Sequence, residues 1–409
     1  LTEEALTGED PDAPEPVPLL RPADGLPPVV VDRAALDHTA AAVASGSGPI
    51  AVDAERASGF RYSQRAYLVQ LRREGAGTAL VDPIPLGGDL TPLAPALTGP
   101  EWVLHAANQD LPCLAEVGLA PSRLFDTELA ARLAGFPRVG LGPLVEQLLG
   151  LSLEKGHGAA DWSRRPLPED WLVYAALDVE VLVELRDVLA RELAEQGKLE
   201  WAAQEFEAVR TAPPHAPRAE PWRRLSGVHK LRKPRLLAAA RALWEARDRL
   251  AAERDIAPGR VLPDSAIVAA ASAEPASAQA LAGMPTFRGR AQRRLTSYWF
   301  GALEKAYALD PAEYPRAAPA VEGPPPVSRW TDRDPDAATR LTAARAAVAE
   351  VGEQWNVPVE NLLQPDLLRR LCWSPPADGD VRGALRAGGA REWQIDLLAD
   401  RLEKALAAR

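Results

Sequence analysis

Acidic side chains set into apolar stretches constrain this chain more than any other feature of its sequence. Between Pro49 and Glu55, Ile50 and Val52 point one way while Ala51, Asp53 and Glu55 point the other, the two-residue period of a β-strand. Asp53 and Glu55 therefore leave the strand from the same face. Asp110 follows an apolar stretch ending in Leu104-His105, where a helical pattern begins. Asp178 interrupts the apolar helical run from Trp171 to Val179, with Tyr174 one turn before it on the same face. Converging carboxylates repel one another and are costly to bury without a compensating cation. Their hard oxygens select Mg²⁺ or Mn²⁺. A pair of such ions about 3.5–4 Å apart activates water and stabilises the leaving oxygen of a phosphodiester. Taken singly, each acid also has a plain structural reading, Asp110 above all as a helix N-cap.

The surrounding pattern predicts how these residues are carried. Strands are expected at Pro49–Glu55, Ala66–Leu71, Ala79–Asp82 and Trp102–His105, with a turn at Arg73–Gly77. Helices are expected at Gln109–Val117, Thr127–Ala134, Leu141–Leu149 and Pro168–Glu195. Strands first and helices after argue for an α/β arrangement, a mixed sheet with helices packed on its faces. A length of 409 residues calls for two or three domains. Proline-rich linkers at 212–221 and 310–328 divide the chain. The expected organisation is an acidic, proline-rich, flexible leader at 1–28, a sheet domain at 29–211, and two small all-α pieces at 222–309 and 329–409.

Charge separates along the chain. The total is −10, yet Ala219–Ala306 holds sixteen Lys/Arg against eight Asp/Glu, leaving −18 for the remainder. A basic module on an acidic chain suits a polyanion. Arg223, Arg224, Lys230, Arg232, Lys233 and Arg235 form one cluster there, and Arg288, Arg290, Arg293 and Arg294 a second. Such clusters neutralise phosphates without reading sequence, although a solvated helical face gives the same pattern. Cys113 and Cys372 are the two cysteines, too far apart in sequence for a cysteine zinc cage. Two lone cysteines fit a reducing compartment, so a cytoplasmic protein is expected, and no apolar run of about 20 residues offers a membrane span.

Val52-Asp53-Ala54-Glu55, Leu104-His105-Ala106-Ala107-Asn108-Gln109-Asp110-Leu111 and Tyr174-Ala175-Ala176-Leu177-Asp178 resemble the three motifs of the DEDDy exonucleases. Asp126-Thr127, Lys155 and Asp161-Trp162-Ser163-Arg164-Arg165-Pro166-Leu167 narrow the resemblance to the ribonuclease D family. Ala54 stands where that family usually has Thr. The segment from Pro221 through Asp264 resembles the HRDC domain, and Trp330–Leu406, with Trp355-Asn356-Val357-Pro358, resembles a diverged second copy. The resemblance implies a ribonuclease H-like fold followed by two HRDC-type domains. It implies that Asp53, Glu55, Asp110 and Asp178 bind two divalent ions, Mg²⁺ or Mn²⁺, and that Tyr174 orients the attacking water. The implied activity is 3′→5′ exoribonuclease, releasing nucleoside 5′-monophosphates from structured RNA such as tRNA precursors. A monomer is expected, although no sequence feature reports the oligomeric state. Lys155 and Arg165 are candidates for holding phosphates, and Tyr67 for touching the terminal nucleotide, with a solvated loop and core packing as the respective alternatives. His105 reads as a general base or, more plainly, as a hydrogen-bonded strand-end residue. Two rival functions stay open: a DNA 3′→5′ exonuclease, which uses the same carboxylates, and a non-catalytic RNA-binding scaffold.

Overall fold

The computed structural model describes residues 15–154, 156–214, 216, 218–316 and 323–407. They gather into two compact units. One holds the described residues up to Glu55, Ala66–Ala212 and those from Gly323 onward; the other holds Arg56–Arg65 and those between Pro213 and residue 316.

The first unit is built on strands β1 (Val17–Leu19), β2 (Val29–Val30), β3 (Ser47–Arg56), β4 (Ala66–Glu74), β5 (Gly77–Val81), β6 (Trp102–Leu104), β7 (Leu124–Asp126) and β8 (Leu151–Leu153). Six of them form one mixed sheet in the order β2-β5-β4-β3-β6-β7. The helices of this segment are α1 (Arg33–Ser45), α2 (Ala94–Leu97), α3 (Leu111–Glu116), α4 (Thr127–Ala134), α5 (Leu141–Leu149), α6 (Glu169–Glu180), α7 (Leu182–Glu195) and α8 (Leu199–Arg210). The alternation along β3 decides what each face of the sheet buries. Ile50, Val52 and Ala54 enter the main core, whereas Ala51 packs with Val103, Val179 and Leu182 under α6 and α7.

Three expectations change. The predicted helix over Pro168–Glu195 is two helices that break at Val181, since α6 lies across β4 and β5 while α7 packs on β6 and α4. The leader is not loose throughout: Val17–Leu19 pairs in parallel with Leu151–Leu153, and the residues before Glu15 lie outside those described. The third change concerns residues 329–409, expected to stand as a separate domain. Their helices share one hydrophobic core with the sheet segment. Trp393 stacks on Trp201 of α8 at 4.9 Å, and Glu205 accepts from the Trp393 indole at 3.0 Å and from Arg391 at 2.7 Å. Gly135 sits at φ +87°, and a Cβ there would stand 2.1 Å from Asn356 Nδ2, so only glycine admits this approach.

In the second unit, Trp222, Leu243, Ile267, Phe287 and Trp299 centre a helical core around α9 (Pro234–Arg254). Arg56–Arg65 belongs to this unit: the Ala257 N–H donates to Phe60 O, and Tyr62 donates to Asp248. The likeness of the two all-α pieces is visible in their elements. After short helical turns, each carries a 21-residue helix starting at proline, Pro234–Arg254 and Pro335–Trp355. Each helix ends on a left-handed residue, Asp255 or Asn356. One-turn helices follow at Pro258–Val261 and Val359–Leu362, then longer ones at Asp264–Ala273 and Pro365–Trp373.

Candidate active site

β3 runs in parallel with β6 through Ile50 and Ala51, and its two acids lie further along the strand. Because Ala51 packs under α6 and α7, Asp53 and Glu55 on the same face meet α6, where Asp178 projects one turn beyond Tyr174. Oxygens of Asp53, Glu55 and Asp178 all lie within 4.8 Å of one another. Burial, and then the charge of Asp53, raise the Asp178 carboxyl well above the usual range, against a hydrogen bond from Tyr174. Burial first, then Asp178, Glu55 and Asp53, raise the Tyr174 phenol, so its hydroxyl stays protonated. Glu55 is buried and Asp53 and Asp178 are half-buried, and such an all-oxygen, mutually repelling donor set is one that a hard divalent cation fits.

Asp110 is buried at the start of α3, outside that group of three. Its side chain does not cap the helix, which removes the plain N-cap reading. Asp126 sets the approach to it. This buried carboxylate accepts the N–H groups of Ala106 and Ala107 at 3.1 and 2.9 Å, and caps α4 by accepting from Glu128 and Leu129. Ala106 is thereby held at φ 59°, a left-handed conformation uncommon for a residue with a Cβ. Sequence reasoning quoted Asp126 without giving it this task; the signal was its position two strands over, just ahead of an apolar helix.

Around Tyr174 stand His157, edge-on at 5.6 Å between ring centres, and Trp162, fully buried and bound through its indole N–H to His157 O. A cavity of about 240 Å³ opens beside them, lined by Tyr174, Asp178, His157, Glu154, Leu20 and Arg21 among others.

Other candidates fall outside this cluster. Tyr67 is buried in β4, the core reading. Arg165 is a clamp: its five N–H groups reach both oxygens of Asp82 and the carbonyls of Trp162, Arg164 and Tyr67, leaving no donor for a phosphate. Lys155 lies outside the described residues. His105 is half-buried, its Nδ1 2.9 Å from the Thr127 hydroxyl, which itself donates to Leu104 O. Burial drives its pKa down to about 4, so it is a neutral structural residue. In the second unit, Arg223 pairs with Glu220 and stacks on Trp222, and Arg235 pairs with Glu274 and lies over Tyr307. Arg224, Lys230, Arg232 and Lys233 are exposed, with no ion-pair partner among the described residues.

Comparison with known proteins places the chain. Residues 28–194 match the sequence family described as 3′-5′ exonuclease, 237–303 the HRDC domain, and 323–406 the 3′ to 5′ exonuclease C-terminal domain. The chain is 34% identical over 283 residues to ribonuclease D of Gluconacetobacter diazotrophicus, covering 68% of this chain and 71% of that one. It belongs to the ribonuclease D family. Ribonuclease D of Acidiphilium cryptum is also 34% identical, over 290 residues, with 68% and 71% covered. Among solved structures, a protein from Bifidobacterium adolescentis superposes with a TM-score of 0.90 at 39% identity, over 96% of this chain and all of that one. Escherichia coli RNase D, described as an exoribonuclease involved in structured RNA processing, superposes with a TM-score of 0.68 at 26% identity, over 93% and 98%. Like its relatives, this ribonuclease D-family chain is a metal-dependent 3′→5′ exoribonuclease. A DNA-specific enzyme and an inert scaffold are thereby set aside. Among the described residues, no helix is long and apolar enough to cross a membrane.

Proposed function

We propose that this chain trims the 3′ ends of structured RNA, tRNA precursors with extra 3′ residues among them, as a monomer that releases nucleoside 5′-monophosphates. The observation that carries this reading is the convergence of Asp53, Glu55 and Asp178 within 4.8 Å beneath Tyr174. With Asp110, these carboxylates would hold two Mg²⁺ or Mn²⁺ ions. Bound there, the ions supply Lewis acidity at the phosphate and a water acidic enough to attack it. The chain's own residues do the rest. Tyr174, kept protonated by its surroundings, orients the water through a hydrogen bond and does not abstract its proton. Asp126 holds the turn before Asp110, and Arg165 ties the loop carrying Trp162 to β4. The nuclease segment is 29–211, and the exposed Arg224, Lys230, Arg232 and Lys233 of the 222–309 piece supply sequence-independent phosphate contacts.

A 5′-labelled tRNA carrying a short 3′ extension, incubated with Mg²⁺, Mn²⁺ or EDTA, tests this. The expected result is a ladder shortening from the 3′ end, mononucleotide products, and silence in EDTA. Internal cuts, or faster digestion of a matched DNA, would overturn the reading.

A further inference from the structure

The segment preceding β2 is held against the nuclease core at both ends. Its first half adds β1 to β8, from Val17↔Leu151 to Leu19↔Leu153, with the Val17 N–H donating to Gly150 O at 2.8 Å. Its second half is tied down through Arg72, which pairs with Asp24 and with Glu180 of α6 at 3.0 Å each. The Ala23 N–H also points at Glu180, 3.4 Å away. Between these two fastenings lie Leu20 and Arg21, and both line the cavity that also holds Tyr174 and Asp178. The match to the exonuclease family begins at residue 28, just after this segment.

The cavity's charge is uneven. Glu154, Glu169, Asp170 and Asp178 line it, and among its described lining residues Arg21 is the one Lys or Arg. Arg21 is exposed and has no carboxylate partner among the described residues. Leu20 is 63% exposed, an apolar side chain open at the rim. A polyanion entering among carboxylates is repelled, and a guanidinium offsets that repulsion while offering paired donors to one phosphate.

We propose that residues 17–24 form a strap completing the substrate cavity, in which Arg21 binds a backbone phosphate near the 3′ end of the RNA and Leu20 covers the adjoining sugar or base. This deepens the exoribonuclease reading of the same site and rests on it.

The test measures binding of a fluorescent single-stranded RNA to the full chain in Ca²⁺, for wild type, Arg21→Gln and Arg21→Lys, across a salt series. Arg21→Gln should weaken binding about tenfold, as for one charge-assisted contact. It should also flatten the log–log salt dependence by ~0.7. Arg21→Lys should restore most of both, and the melting temperature should stay at the wild-type value. Replacing single 3′-proximal linkages by neutral methylphosphonates should reproduce the loss in wild type at one position, with no further loss there in Arg21→Gln. Unchanged affinity and salt slope, a fall of several degrees in melting temperature, or losses that multiply at every position would overturn the assignment. Wild-type chain that binds RNA in this way yet never shortens it in Mg²⁺ or Mn²⁺ would instead sink the exoribonuclease reading.

Discussion

Asp126 accepts the backbone N–H of Ala107 at 2.9 Å, and through that contact a residue on β7 fixes the turn leading to Asp110. The same carboxylate takes three further N–H groups. Asp126→Ala leaves buried donors without acceptors, each costing about 1–3 kcal/mol. Urea unfolding should show a loss of roughly 2–5 kcal/mol, together with slower cleavage as Asp110 loses its setting. Wild-type stability in that variant would mean the contacts are incidental.

Arg165 and Asp82 form the second testable pair. With Asp82 buried and the guanidinium fully engaged, Arg165→Lys keeps charge but cannot reach the same five acceptors. A destabilisation of about 2–4 kcal/mol is expected, with RNA affinity at high salt unchanged. A variant of normal stability and weakened RNA binding would return Arg165 to the phosphate-holding role.

His105 predicts a pH dependence. Its folded pKa, about 4, lies below the ordinary 6.5, so above that ordinary value the ring is neutral in both states and costs nothing. As pH falls from 6.5 toward 4 the unfolded chain takes up a proton that the folded state refuses. Stability therefore declines across that window by up to ~3 kcal/mol. His105→Asn should flatten this part of the profile in urea unfolding at pH 7.5 and 4.5. An equal slope in both proteins would contradict the burial argument.

Trp393 tests whether the last helical piece is structural. Replacing it with alanine removes the stack on Trp201 and one of the donors to Glu205, at a cost of about 3–5 kcal/mol. Ending the chain at Thr211 should likewise leave a nuclease segment that does not fold alone, because its core partners lie beyond Gly323. A stable, active fragment would show the shared core to be dispensable.

These residues mark what the sequence makes legible. The predicted helices Thr127–Ala134 and Leu141–Leu149 appear at those bounds, because Asp126 caps one and Gly135 and Gly150 stop them in left-handed conformations, all local signals. The carboxylates were visible because an acid inside an apolar strand is a local anomaly. The clamping role of Arg165 was not, since its acceptors on Asp82 and Tyr67 lie 83 and 98 residues away. The pairing of β1 with β8 and the burial of Trp393 against α8 likewise depend on partners that no short window contains. β7, only three residues long, carries too little alternation to announce itself.

Single-turnover cleavage of 5′-labelled RNA at saturating Mn²⁺, by wild type, Asp178→Asn and Tyr174→Phe, is the most direct test of the site. Asp178→Asn preserves shape but removes a charge that balances the metal, and should abolish cleavage. Tyr174→Phe removes one positioning hydroxyl and should slow cleavage by ~10²–10⁴ while leaving measurable activity. Near-normal cleavage by Asp178→Asn, or a rate unchanged in Tyr174→Phe, would contradict the assignment of metal binding and water positioning to these two residues of α6.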